Sequence, residues 1–305
     1  MHLTIGTRGS RLALWQAHHI QDRLRALGHR TTLEVIKTQG DRIDHLPFSK
    51  LEGKGFFTKE LEDAQLDGRV DLAVHSMKDL PTEQPPGLVL AALVGRADAR
   101  DVLIARPDAV DAAAASAGDP LPLLAGLRVG TSSARRQAQV KFLRSDLVVG
   151  ELRGNVPTRV QKLRNGDHDA ILLAAAGLDR LALDLGDLWT SRLVPTQFVP
   201  APAQGMLAIQ CPDRPDVLEA LAALHDAVPA EAIEAERWLL GKLDGGCSLP
   251  FGCFVAGVES PTLNLFLAQP DRAPLVLALS SGTPQQLAER AWQAITDYRT
   301  EDTRR

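Results

Sequence analysis

The chain has 305 residues, 45% of them hydrophobic and 24% charged, the balance of a globular protein and not of a disordered or fibrous one. That length exceeds what one hydrophobic core usually organises, so two or three domains are expected. A formal net charge of −4 and a pI near 6.1 offer no global attraction for nucleic acid or an anionic membrane, so any basic site has to be local.

Short apolar runs alternate with helical patterns through the first two thirds, which predicts strand-helix-strand units with mainly parallel sheets. Leu3 to Gly6 reads as a strand, and Ser10 as the cap of a helix whose face carries Leu14, Ala17, Leu24 and Leu27, closed by Gly28. A strand from Leu33 to Lys37, a helix from Glu60 to Leu66 and a buried strand from Asp71 to Val74 follow. His75 to Asp79 would form the loop at that strand's carboxyl end, where open α/β sheets place ligands. The pattern restarts after Asp101: a strand from Leu127 to Gly130, a helix from Ala134 to Leu143 capped by Ser132 or Ser133, and a strand from Leu147 to Val149. Asn155 caps the next helix, with Pro157 near its first position and Gly166 closing it, and Asp169 to Ala174 is one more strand. The alanine-rich stretch Ala112 to Ala117 reads as an insertion or a surface helix. Pro195, Pro200 and Pro202 mark a crossing segment. A helix starting with Pro229 at its first position leads to Gly245-Gly246, and the tail alternates as short strands before a final helix around Gln285 to Tyr298. No repeat of solenoid or propeller period is present.

Three cysteines, Cys211, Cys247 and Cys253, are too few and too irregular for a disulfide framework, and none forms a C-x-x-C pair. The N-terminus lacks the apolar stretch of a signal peptide or membrane span, so a reducing, cytoplasmic setting is expected. The His18-His19 pair has no acidic or cysteine partner at ligand spacing, and no metal is expected.

Arginines cluster at predicted strand-to-helix junctions: Arg8, then Arg135 and Arg136, then Arg153 and Arg159. A cation at a helix N-terminus opposes the macrodipole, and an anionic ligand would reconcile the two. Pairing with surface acids is the alternative for any single one, and recurrence at three junctions favours the ligand. The turn Gly53-Lys54-Gly55 with Lys59 lacks the Walker spacing, leaving a loop with two cations or an ordinary surface loop. Asp79 suits a proton shuttle or a counter-ion to a developing cation, although taken alone its place in the loop favours a turn or cap role. Cys247 follows two glycines that strip side chains from its sulfur, which suits a bond-forming thiol; a small buried hydrophobe is the alternative, and the one that fits Cys211 and Cys253.

Taken together, GTRGSRLALWQA at Gly6 to Ala17, KTQGD at Lys37 to Asp41, GKGFFTKELE at Gly53 to Glu62 and DLAVHSMKDLPT at Asp71 to Thr82 resemble the porphobilinogen deaminase (hydroxymethylbilane synthase) family. So do VGTSSARRQAQ at Val129 to Gln139, LRGNVPTR at Leu152 to Arg159, DAILLAAAGLDRL at Asp169 to Leu181, PAPAQGMLAI at Pro200 to Ile209 and LDGGCSLPFG at Leu243 to Gly252. The likeness is loose beyond Gly252.

The resemblance implies an α/β fold of two periplasmic-binding-protein-like lobes with a smaller C-terminal α+β domain. The parts would be 1–97 with 200–221, 98–199, and 222–305. It implies a transferase of haem biosynthesis that joins four porphobilinogen molecules into hydroxymethylbilane with loss of ammonia, using a dipyrromethane cofactor held by a thioether to Cys247. Asp79 would be catalytic. Cys247, Lys78, Arg135, Arg136, Ser133 and Arg159 would bind the cofactor, and Arg8, Ser10, Arg153, Lys54, Lys59 and Arg180 the substrate. A monomer is expected, with no nucleic acid or membrane partner. Each substrate carries two carboxylates, which suits local cations on an acidic protein. Arg11 stands where the family commonly has proline, Ala203 where it has glycine and Gln210 where it has glutamate; the last two put hinge behaviour in question. The competing class is a ligand-binding protein without chemistry, which a secretion signal would favour. A nucleic-acid enzyme is disfavoured by the pI and by 4% aromatic residues.

Overall fold

A computed structural model of the chain describes residues 1–38, 58–243 and 249–300. The chain divides into two compact units, Met1–Ala97 with Gly205–Ala230, and Asp98–Gln204 with Glu231–Arg305.

In the first unit β1 (His2–Thr7) leads into α1 (Arg11–Ala26), which Ser10 caps by accepting from Ala13 N at 3.2 Å. Ala17 and Leu24 of α1 are buried with Leu3, Ile5 and Leu72, as expected, and Ile20 joins them, while Leu14 is only half-buried. Leu27 is not part of that face: as the C-cap it is 46% exposed, and Gly28 follows at φ 85°. β2 (Arg30–Val35) starts earlier than its apolar residues suggest, because His2 and Arg30 already pair in the ladder. Next come α2 (Lys59–Leu66), β3 (Leu72–Ser76), a 3-10 turn over Met77–Asp79, and β4 (Leu88–Val94). His75 lies inside β3 and not in the following loop. β10 (Leu207–Pro212) and α7 (Pro215–Ala222) complete the unit after the chain returns from the second one.

The second unit holds β5 (Asp101–Ala105), α3 (Ala112–Ser116), β6 (Arg128–Gly130), α4 (Ala134–Leu143), β7 (Val148–Gly150), α5 (Val156–Arg164), β8 (Ala170–Ala174), α6 (Ala175–Leu181) and β9 (Trp189–Arg192). The two five-stranded sheets share one plan. Their orders are β2-β1-β3-β10-β4 and β7-β6-β8-β5-β9. In each, the first three strands are parallel and the fourth, β10 or β5, runs antiparallel to both neighbours. The sheets are therefore mixed and not mainly parallel: the antiparallel strand is the one entered directly from a crossing segment, without a helix to reverse the chain.

α8 (Ala227–Lys242) begins two residues before Pro229, which the first turn tolerates because its N–H groups have no intrahelical acceptor. The C-terminal part is the antiparallel sheet β11 (Phe251–Ala256), β12 (Thr262–Leu267) and β13 (Leu275–Ser280) with α9 (Pro284–Thr300). Leu239 of α8, Leu243 just after it, and Leu287, Ala291 and Ile295 of α9 bury the sheet's Cys253, Leu263 and Leu265 in a core of their own. The expected class, two α/β sheets with a smaller C-terminal α+β part, is the one observed.

Candidate active site

In the first unit the residues that the sequence singles out lie at the carboxyl edge of the parallel strands. Arg8 directly follows β1 and Ser10 caps α1, so the sequence Arg-Gly-Ser turns sharply from strand to helix. β1 pairs with β3 through Gly6 and Ala73, which brings Arg8 level with His75 and places Lys78 and Asp79 just beyond. The turn that carries Asp79 is held from two sides. Gln16 of α1 donates to Ser76 Oγ at 2.8 Å, and Met77 N donates to Met206 O at 2.9 Å. Asp79 itself is exposed and Lys78 half-buried. Lys59 is the exposed first residue of α2; Leu61 of that helix lies over Gly6, so Lys59 belongs to the same edge. Lys54 and Cys247 lie outside the described residues.

His75 is buried, and its pKa is lowered from 6.5 to about 4. Burial is the main cause, a hydrogen bond with Gln210 opposes it, and the charge of Arg8 adds to it. Gln210 is held in turn by Gln65, which donates to its Oε1 at 2.9 Å, and by Gln84, which accepts from its Nε2 at 2.8 Å.

In the second unit the equivalent edge carries the arginines. β6 and β7 pair in parallel through Gly130 and Gly150, so the turns after them are adjacent. Ser132 Oγ joins them, donating to Leu152 O at 2.8 Å and accepting from Leu152 N at 3.1 Å. Ser133 caps α4, whose first turn carries Arg135 and Arg136 and no acid. Asn155 caps α5 by accepting from Thr158 N at 3.0 Å. Arg159 of α5 donates to Gly154 O at 2.7 Å. Gly154 has φ 108°, and a Cβ there would meet Thr158 at 2.8 Å, so this turn admits no side chain. Arg153 and Arg159 are half-buried. Arg180, in the last turn of α6, has its pKa pushed down to about 10 by burial, with Asp179 opposing.

Arg135 and Arg136 are more deeply placed than junction arginines need be, and both are bound to Asp101 at the head of β5. Burial works against the Asp101 carboxylate, but the charges and hydrogen bonds of the two arginines outweigh it and hold its pKa well below the usual carboxylate range. Part of the counter-charge that the sequence demands of a ligand is thus internal. One carboxylate against two guanidinium groups still leaves an excess positive charge. Sequence reasoning missed Asp101, although a lone acid opening the apolar run Asp101-Val-Leu-Ile-Ala was the signal for it.

Among the described residues no group of three or more His, Cys, Asp or Glu is arranged to hold a metal ion, and no helix is long and apolar enough to cross a membrane. Cys211 and Cys253 are both fully buried, and burial pushes the Cys211 thiol up to about 11, away from nucleophilic use.

A family model described as porphobilinogen deaminase, dipyromethane cofactor binding domain, matches residues 3–220. The porphobilinogen deaminase of Maridesulfovibrio salexigens is 45% identical over 95% of this chain and 91% of its own length. That of Chromobacterium violaceum is 43% identical over 96% and 92%. A solved structure, the periplasmic VFT2 domain of Bordetella pertussis BvgS, aligns over 72% of this chain and 85% of its own at a TM-score of 0.44 and 12% identity.

Proposed function

This chain belongs to the porphobilinogen deaminase family, and we propose on that premise that Asp79 is its catalytic carboxylate and that its edge arginines hold the acidic side chains of substrate and cofactor. The enzyme is a transferase of tetrapyrrole biosynthesis. It joins four porphobilinogen molecules, releasing ammonia at each condensation, and frees hydroxymethylbilane by hydrolysis. Its cofactor is dipyrromethane, which when bound supplies the free pyrrole carbon that starts the chain.

The residues present suit such a group. Ser133 and Asn155 cap two adjacent helices whose first turns hold no acid. Two guanidinium groups share the single Asp101 carboxylate, and Arg135 Nε is buried with no hydrogen-bond partner. Carboxylates are the anions that guanidinium forks and helix N-termini bind best. Arg135, Arg136, Arg159, Ser133 and Lys78 are assigned to the cofactor, and Arg8, Ser10, Arg153, Lys54, Lys59 and Arg180 to substrate. Cys247 is assigned the thioether. Its support is its approach of two glycines and the burial of the other two cysteines.

Loss of ammonia from porphobilinogen breaks the aminomethyl C–N bond, the electron pair leaves with nitrogen, and an electrophilic methylene conjugated to a cationic pyrrole remains. Asp79 stabilises that positive charge, and it holds the pyrrole N–H while the attacking ring forms the C–C bond and loses its α-proton. Its exposure at the end of β3, on a turn fixed by Gln16 and Met206, suits a group that must meet a ligand.

The division into three folding parts, 1–97 with 200–221, 98–199 and 222–305, is proposed on the strength of separate hydrophobic cores in the first sheet, the second sheet and the C-terminal sheet. A cytoplasmic monomer is proposed from the acidic pI and sparse cysteines.

The observation that carries the catalytic assignment is the placement of Arg8 and Asp79 at the ends of paired parallel strands. Asp79→Asn tests it: thermal stability should stay within about 1 kcal/mol of the parent because the residue is exposed, while turnover falls about a hundredfold or more. Full turnover in that variant ends the assignment.

A further inference from the structure

A buried ion cluster lies wholly inside the second unit. Asp101 is fully buried, and Arg135 and Arg136 are 4% and 6% exposed. Oδ2 of Asp101 accepts from Arg135 Nη1 at 2.6 Å. Its Oδ1 accepts from Arg136 Nη2 at 2.7 Å and Nε at 3.1 Å, and from Gln204 Nε2 at 2.9 Å. Two backbone carbonyls take further donors: Val199 O from Arg135 Nη1 at 2.7 Å, and Leu172 O from Arg136 Nη1 at 3.0 Å. The acceptors come from β5, from β8 and from the crossing segment, so neither guanidinium can turn without breaking bonds to two segments of the unit.

Stability alone does not account for this arrangement. A buried ion cluster is about as stabilising as well-packed apolar residues of the same size, and one with an excess charge is worse. Here two cations share one anion, and Arg135 Nε is left over as a buried donor. Such a cluster gains from an anion delivered beside it, and an arginine already held in place gives up little side-chain freedom when the anion arrives.

We propose that Asp101 is a positioning residue for chain extension: by fixing the Arg135 and Arg136 guanidinium groups at the start of α4, it sets where the carboxylates of the bound pyrrole chain are held. The proposal rests on the assignment of those two arginines to carboxylate binding. Asp101 touches neither substrate nor cofactor in this account. It acts through the two arginines, and it does so from within the scaffold, since its remaining contact, Gln204, also donates to Ala99 O at 2.7 Å.

The test compares Asp101→Asn and Asp101→Glu with Glu236→Gln. Glu236 is a second buried carboxylate of the same unit, and it accepts from the backbone N–H groups of Ala203 and Val255, each at 2.7 Å. Four quantities are read on purified holoenzyme: thermal midpoint, dipyrromethane content per mole by the colour reaction with an acidic aldehyde, and the KM and kcat for porphobilinogen. Displaced guanidinium groups should raise KM roughly tenfold or more in Asp101→Asn and lower its cofactor content, whereas Glu236→Gln loses thermal stability with KM and cofactor content unchanged. Asp101→Glu keeps the charge but moves it by one methylene; it should fold with nearly the parent midpoint and still show a raised KM. This variant decides the matter if Asp101→Asn does not fold. Parental KM and cofactor content in Asp101→Glu, or equal changes in Asp101→Asn and Glu236→Gln, overturn the proposal. A parent protein that gives no pyrrole colour and no turnover instead overturns the family assignment of its site, a separate result.

Discussion

The Gln139 side chain holds the backbone of Val199 from both sides: its Oε1 accepts from Val199 N at 2.6 Å and its Nε2 donates to Val199 O at 3.0 Å. All four groups are buried, and the contact pins the proline-marked crossing segment to α4, the helix that carries Arg135 and Arg136. Gln139→Leu keeps the volume but leaves Val199 N without an acceptor, while Val199 O retains Arg135. The expected cost is about 1–3 kcal/mol of unfolding free energy, read by urea denaturation. A variant as stable as the parent would show that the amide is dispensable there.

His75 predicts an acid-sensitive first unit. Its pKa is lowered from 6.5 to about 4, so the folded state binds its proton less readily than the unfolded chain does. The stability that follows from a neutral His75 is fully present above pH 6.5 and is lost as the pH falls from there towards 4. Between pH 7 and 4.5 this group alone removes about 2–3 kcal/mol. His75→Gln should flatten that part of the stability profile relative to the parent. An unchanged slope in the variant would place the acid sensitivity in other groups.

Gly205 and Gly28 offer a matched pair for backbone strain. Both have positive φ, 93° and 85°, but a Cβ on Gly205 would stand 2.4 Å from Ala97 O, while one on Gly28 would meet nothing within 4 Å. Gly28→Ala should cost about 1 kcal/mol, the conformational penalty alone. Gly205→Ala adds a collision with backbone and should cost about 3 kcal/mol or more. Equal thermal midpoints for the two variants would contradict this placement of Gly205.

The strand-helix alternation, the serine and asparagine caps at Ser10, Ser133 and Asn155, and the edge positions of Arg8 and Asp79 were legible in the sequence, because each follows from a local rule of period or capping. What escaped was non-local. The antiparallel strands β5 and β10 depend on where a crossing segment re-enters a sheet, which no window of residues encodes. Arg135 and Arg136 were visible as cations at a helix start, but their partner Asp101 lies 34 and 35 residues away and meets them only after folding. Ala203, noted where the family has glycine, sits at φ 61°, so the left-handed geometry that favours glycine is kept by an alanine. Gln210, noted where the family has glutamate, is the residue that hydrogen-bonds the neutral His75.

Intact-mass measurement of the purified protein, followed by peptide mapping, tests the central claim most directly. The account predicts a covalent excess of two pyrrole units, located on the peptide that contains Cys247, and lost together with tetrapyrrole formation in Cys247→Ala but retained in Cys211→Ala and Cys253→Ala. Fully active protein with an unmodified Cys247, or an adduct on Cys211 or Cys253, would contradict it.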